Sequence, residues 1–202
     1  MNKNVSLLYK VGKFLLSPLF KFYYNPQIIG KENIPTTGPI VIAGNHKHLY
    51  DQCLSIISTK RGIHYLAKKE YFDNPKTAWF FKGVGCISVD RSQKDKQAVQ
   101  KALEVLQDDG AIGIFPEGTR NKTSQFLLTF KYGAVSLAQK TNAYIVPFGV
   151  TGDYKFRSKN LTIRYGKPFK VSNLSLEEAN IKLQKKVEEL MKQNLIENAL
   201  KK

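Results

Sequence analysis

Cysteine, arginine, acidic side chains and long apolar runs are all scarce in this 202-residue chain. Its two cysteines, Cys53 and Cys86, make no CxxC pair and no disulfide framework. A structural zinc, a dithiol redox centre and a stapled secreted fold are therefore disfavoured, and both thiols are expected as plain core residues in a reducing cytoplasm. Asp and Glu number 16 against 32 Lys and Arg, a formal net charge of +16 with His neutral. Such a balance needs an anionic partner: nucleic acid, the anionic face of a membrane, or an acidic protein or phosphorylated substrate. Only Arg61, Arg91, Arg120, Arg157 and Arg164 can supply the bidentate contacts that nucleic-acid recognition favours, which weakens that option. No stretch reaches the roughly 18 uncharged apolar residues of a membrane-crossing helix. At 42% hydrophobic, with 14 Gly and 8 Pro in no repeat, the chain is neither disordered nor collagen-like, and one domain is the default.

The most apolar region is Val5 to Tyr24, but Lys10, Lys13 and Lys21 interrupt it and no small-residue cleavage site follows, so a cleaved signal peptide is not expected. At helical spacing Leu7, Leu8, Val11, Phe14, Leu15, Leu19 and Phe22 share one side, with Lys3, Lys10, Lys13 and Lys21 on a flank. Pro18 is expected to kink or split this helix. Its apolar stripe either packs on the core or lies in the plane of a membrane with the lysines at lipid phosphates.

Beyond Asn25-Pro26, short β-branched runs alternate with helical stretches. Strands are expected at 39–43, 64–67, 86–89, 111–115, 143–150 and 161–165. Helices are expected at about 51–59, 75–82, 94–107 (Val99, Leu103 and Leu106 inward), 131–140 and 175–200 (Leu176, Ala179, Leu183, Val187, Leu190 and Ile196 inward). The alternation predicts an α/β sandwich with a mostly parallel sheet, working loops at strand ends, and no internal linker.

Three of those loops carry chemistry. In Gly44-Asn45-His46-Lys47-His48-Leu49-Tyr50-Asp51, two positions five apart on one continuous helix would point about 140° apart. His46 and Asp51 can meet only if His46 is on the loop and Asp51 in the first helical turn. A carboxylate on one ring nitrogen leaves the other free to take a hydroxyl proton. His48 competes for that role, whereas His64 lies inside a strand and reads as structural. The second loop ends in Asp90-Arg91, by itself consistent with a surface ion pair. The third, Phe115-Pro116-Glu117-Gly118-Thr119-Arg120, presents Glu, Thr and Arg on a turn suited to an oxyanion or phosphate.

Together these blocks resemble the signatures of the glycerolipid acyltransferases, in particular the 1-acylglycerol-3-phosphate acyltransferase branch. NHxxxxD is met by Asn45, His46 and Asp51; a Gly-containing apolar run ending in Asp-Arg by Gly85 to Arg91; FPEGTR by Phe115 to Arg120; and an apolar strand ending in Val-Pro by Ile145-Val146-Pro147. Ala67-Lys68-Lys69-Glu70, and Phe130, Lys131 and Gly133, are also similar, and the resemblance spans about Ile28 to Thr151. Two positions depart from it: His48, where the family often has Ser, and Ser88, where a bulky residue is frequent. The resemblance implies a membrane-anchoring segment at 1–24 and a catalytic domain at 25–202. It also implies acyl transfer from acyl-CoA or acyl-carrier protein to the sn-2 hydroxyl of a lysophospholipid, giving phosphatidic acid, with no metal or cofactor. His46 oriented by Asp51 would be the general base, and Asn45 would assist the oxyanion. Arg91, Glu117, Gly118, Thr119, Arg120 and Lys131 would hold the acceptor, Arg120 meeting its phosphate. The implied location is peripheral, on the cytoplasmic face of an anionic membrane, with no nucleic-acid partner. Alternatives are acylation of another lysolipid or of glycerol 3-phosphate, or a non-enzymatic basic domain binding membrane or nucleic acid.

Overall fold

The structure, a computed structural model, describes residues 5–201, so Lys3 lies outside the described residues. In chain order the elements are α1 (Leu7–Tyr24), β1 (Gln27–Ile29), a 3-10 turn (Lys31–Asn33), β2 (Ile40–Gly44), α2 (Asp51–Ser58), β3 (His64–Lys68), α3 (Glu70–Asp73) and α4 (Pro75–Gly83). There follow β4 (Ile87–Val89), α5 (Lys96–Gln107), β5 (Ala111–Ile114), α6 (Gly133–Thr141), β6 (Tyr144–Thr151), β7 (Thr162–Tyr165) and α7 (Leu176–Leu200).

β2 and β6 are nearly continuous apolar runs because both faces of the sheet are covered. Seven strands order as β1-β7-β6-β2-β5-β3-β4. All neighbouring pairs are parallel except β6 and β7, so the expected mostly parallel α/β architecture is the one observed. Alternation along the strands divides the core in two. Val41, Ala43, Ile112 and Ile145 pack against α5, α6 and α7. Ile40, Ile42, Val146 and Phe148 form the other layer with Leu54 of α2, and Phe20 and Tyr24 of α1 pack against it. β2 sits between β5 and β6, and the chain leaves it to cross over to β3. That reversal opens a crevice at the carboxyl ends of β2, β5 and β6, the usual ligand position in open α/β sheets. Gly44 closes β2 there because a Cβ would meet the Phe148 carbonyl oxygen at 2.3 Å and its ring at 2.5 Å.

Several expectations are corrected. β1 was unforeseen: three residues are too few to show an alternation. On α5 the inward face is Ala98, Ala102 and Leu106, one step round from the expected stripe, and Val99 is exposed. Two alanines let the helix approach the sheet closely. On α7, Ala179, Leu183, Val187 and Leu190 are buried as expected, joined by Met191, whereas Leu176 and Ile196 face out. Pro18 does not split α1, and Ser17, beside it, hydrogen-bonds through its hydroxyl to the Lys13 carbonyl.

The largest departure is how α1 docks. Tyr9, only 6% exposed, enters the core and its phenol oxygen accepts from the Ile63 N–H at 3.1 Å. Lys13 turns away from solvent toward the Thr59 and Arg61 carbonyls, so it does not belong to an outward basic edge. Burial, with Lys21 adding repulsion, pushes the Lys13 ammonium down to about 8. At the helix start, Ser6 accepts from the Tyr9 N–H and its hydroxyl reaches the Gly83 carbonyl. Leu7, Val11, Phe14, Leu15, Leu19 and Phe22 consequently face outward, Phe14 being 79% exposed. Among the described residues no helix is long and apolar enough to cross a membrane.

Candidate active site

The loop after β2 brings His46 to the start of α2, where Asp51 is completely buried. Asp51 Oδ2 receives His46 Nδ1 at 2.8 Å and the backbone N–H groups of Lys47 and His48 at 2.7 Å each. An ionised carboxylate only accepts, so Nδ1 carries the proton and the Nε2 lone pair is left open. The helix dipole favours a negative charge at this first residue of α2. Below, the imidazole stacks on Phe115 at 4.0 Å between centroids and 14° between planes, which fixes its second rotational axis.

Backbone bonds from the β5–α6 loop hold His46 at both ends. Its N–H donates to Glu117 Oε1 at 2.6 Å and its carbonyl accepts from the Asn121 N–H at 2.7 Å. Glu117 Oε2 takes the Leu128 N–H at 2.9 Å, and the residue is only 4% exposed. Burial raises its carboxyl above the ordinary range despite those two amides. Glu117 therefore binds two loops together. Asn45 is likewise tied to a neighbouring element. Its amide exchanges both bonds with Val150 of β6, Nδ2 to the carbonyl at 2.9 Å and Oδ1 from the N–H at 2.7 Å. It is buried and bonded to the neighbouring strand.

The cationic residues remain outside. Arg91 donates from Nη1 to the Gly118 carbonyl at 2.9 Å, so it braces the turn as well as presenting charge. Asp90 does not pair with Arg91 but caps its own loop through the Ser92 N–H and hydroxyl. Gly118 has φ +72°, and a Cβ there would meet Lys131 Cε and Nζ at 3.0 Å, so the lysine runs directly along the turn. Thr119, Arg120 and Lys131 are exposed. Burial lowers His48; the Asp51 charge opposes this and the Arg120 charge adds to it. His48 stacks on Tyr154 at 4.2 Å and its Nδ1 accepts from the Tyr50 N–H, so Asp51 holds its amide but not its ring. His64 is structural, bonded through Nδ1 to the Gly85 carbonyl at 2.7 Å. Both cysteines are free and partly buried, and burial pushes each thiol up to about 11. Among the described residues no group of His, Cys, Asp and Glu is arranged to hold a metal.

Sequence reasoning missed Tyr154, whose hydroxyl donates to Asp51 Oδ1 at 2.6 Å across a separation of 103 residues. No spacing pattern links the two. A groove of about 380 Å³ also lies on the α7 side of the loops, with Asn45, Lys47 and Glu117 at its wall and Val150, Met191 and Leu195 beneath.

A base with one committed nitrogen, beside exposed cations at the crevice of a parallel sheet, serves transfer chemistry at a hydroxyl near an anionic group. The family model described as Acyltransferase matches residues 25–151, and the chain belongs to that family. It is 31% identical over 146 residues to the 1-acyl-sn-glycerol-3-phosphate acyltransferase of Bacillus subtilis (strain 168), covering 72% of each chain. To the enzyme of that name from Borreliella burgdorferi it is 33% identical over 141 residues, 69% of this chain and 56% of that one. The fold matches the crystal structure of the 1-acyl-sn-glycerophosphate (LPA) acyltransferase PlsC from Thermotoga maritima, with TM-score 0.71 and 20% identity over 91% of this chain and 81% of that chain.

Proposed function

We propose that this acyltransferase moves a fatty acyl group from a thioester, acyl-CoA or acyl-carrier protein, to the sn-2 hydroxyl of 1-acylglycerol 3-phosphate. The observation that carries the reading is the 2.8 Å His46–Asp51 pair with Nε2 uncommitted, bonded through Glu117 and Asn121 to the turn that bears Arg120 and along which Lys131 runs. Nε2 removes the hydroxyl proton as the oxygen attacks the thioester carbonyl. The tetrahedral adduct collapses with cleavage of the C–S bond, and the imidazolium returns the proton to the departing thiolate. No acyl-enzyme is needed and, because a thioester is already activated, no cofactor. The Arg120 guanidinium, the Lys131 ammonium and the remaining Arg91 N–H groups seat the acceptor phosphate, while Arg91 and Glu117 keep the turn in register with His46.

Substrate and product are both lipids, which accounts for α1. Its Leu7, Phe14, Leu15 and Leu19 face outward and are largely exposed, and Lys10 and Lys21 are exposed beside them. α1 lies in the plane of an anionic membrane surface, with the lysines at phosphate level. We place that surface on the cytoplasmic side, where thioester donors are made.

Mass spectrometry of products from purified protein, 1-acylglycerol 3-phosphate and mixed thioesters tests the reaction. Phosphatidic acid is the expected product, and His46→Ala should lower its rate by roughly 10³-fold or more. Equal acylation of acceptors lacking the phosphate would refute the acceptor assignment, and full activity of the variant would refute the base.

A further inference from the structure

The β6–β7 loop belongs to none of the sequence motifs, yet it delivers a phenol to the fully buried Asp51. Oδ2 already takes three donors, from His46, Lys47 and His48; Tyr154 serves Oδ1, at 2.6 Å. Burial and the adjacent Asp51 charge push the Tyr154 phenol far up, so it stays protonated and acts only as a donor. Its ring is clamped by His48, stacked at 4.2 Å, and by Tyr24 at the end of α1, edge-on at 5.6 Å. α1 also grips the same loop beyond Tyr154: the Arg157 N–H donates to the Tyr23 carbonyl at 2.6 Å, Phe156 packs edge-on against Tyr23 at 5.2 Å, and the Arg157 guanidinium lies over Phe22 at 5.6 Å.

We propose that Tyr154 is a positioning residue of the acyl-transfer site: it fixes the Asp51 carboxylate plane, disperses its charge, and is itself held by the last turn of α1. This rests on the reading of His46 as the base. The Oδ1 bond turns Oδ2 toward His46 Nδ1 and the two backbone amides. It also weakens the pull of Asp51 on a protonated imidazole, keeping His46 able to release its proton to the departing thiolate. Through Tyr24 and the Arg157–Tyr23 bond, the arrangement makes the site sensitive to the seating of the helix that we place on the membrane.

The test is Tyr154→Phe in the full chain, assayed against pH with 1-acylglycerol 3-phosphate and acyl-CoA. Phe keeps the ring stack and deletes only the donor. kcat should fall roughly ten- to a hundredfold with KM within about twofold. The acid limb of kcat/KM should move to higher pH by about half a unit or more, since an undispersed carboxylate binds the imidazolium more tightly. The other charged or titratable groups facing the pair, namely Lys47, His48, Cys53, Glu117 and Arg120, are untouched. An acid limb that stays put or moves down, whatever the loss of rate or melting temperature, overturns the proposal. So does a loss confined to KM. Tyr24→Leu should cost a few-fold in kcat alone and add nothing in the Tyr154→Phe background; additive losses would overturn the link to α1. NMR titration of the His46 ring without substrate separates the two readings. A shift there in a protein that acylates nothing refutes the proposed function but not the positioning role.

Discussion

Two helices flank opposite sides of the sheet, and both show apolar residues at helical spacing, yet they use them in opposite ways. α7 buries Leu183, Val187, Leu190 and Met191 and leaves Lys182, Lys185 and Lys192 exposed. α1 docks through the polar tips of Tyr9 and Lys13 and through Phe20 and Tyr24, and turns Leu7, Val11, Phe14, Leu15 and Leu19 away from the protein. An apolar stripe therefore shows which residues leave water but not what receives them. α1 is fastened by hydrogen bonds to backbone groups at 59, 61 and 63, which work equally well whether the far side meets water or lipid.

Substitutions along the two helices should separate these uses. Leu183→Ala opens a cavity in a fully buried layer and should cost about 2–5 kcal/mol in denaturant unfolding. The same size of change at Phe14 should leave stability within about 0.5 kcal/mol. Phe14→Ser should instead weaken co-sedimentation with anionic vesicles by roughly tenfold or more, and retained binding would contradict the in-plane placement. Tyr9→Phe strands the Ile63 N–H in the core and should cost about 1–3 kcal/mol while leaving vesicle binding intact. Deleting α1 outright is a poorer experiment, because it removes that partner as well as the outward apolar side.

The smallest effect concerns pH. With Lys13 near 8 when folded and 10.5 unfolded, the unfolded chain binds its proton more tightly between those values. Stability from this group therefore rises with pH across that window. Melting curves of wild type and Lys13→Met should show the wild type gaining on the variant from pH 8 to 10.5, and parallel curves would contradict the buried placement of the ammonium.

Much of the site was legible because its chemistry is local. His46 and Asp51 stand five apart and flank a strand–helix junction, and Glu117 to Arg120 share one turn. The parallel sheet was legible because β2, β5 and β6 are buried on both faces and read as β-branched runs. The division of labour within the motifs was not legible. Whether Asn45 and Glu117 touch ligand or backbone depends on where β6 and the 121–130 loop return in space, and both turned out to serve Val150, His46 and Leu128. Tyr154 was invisible for the same reason, as a lone aromatic in an unpatterned loop. The inward face of α5 was misread by one step because two alanines carry less apolar signal than Val99 and Leu103, although they are what lets the helix seat.

Glu117 gathers the amides of His46 and Leu128, and the Asn121 amide closes on the His46 carbonyl, so the His46 loop and the Glu117–Arg120 turn are stitched into one body. Amide deuterium uptake at these three positions should then be governed by a single opening event, with common protection lost together in Glu117→Ala. Loops wired this way cannot slacken around the Glu117–Arg120 turn without also releasing the His46 backbone, so play in the one is felt by the other within the same excursion.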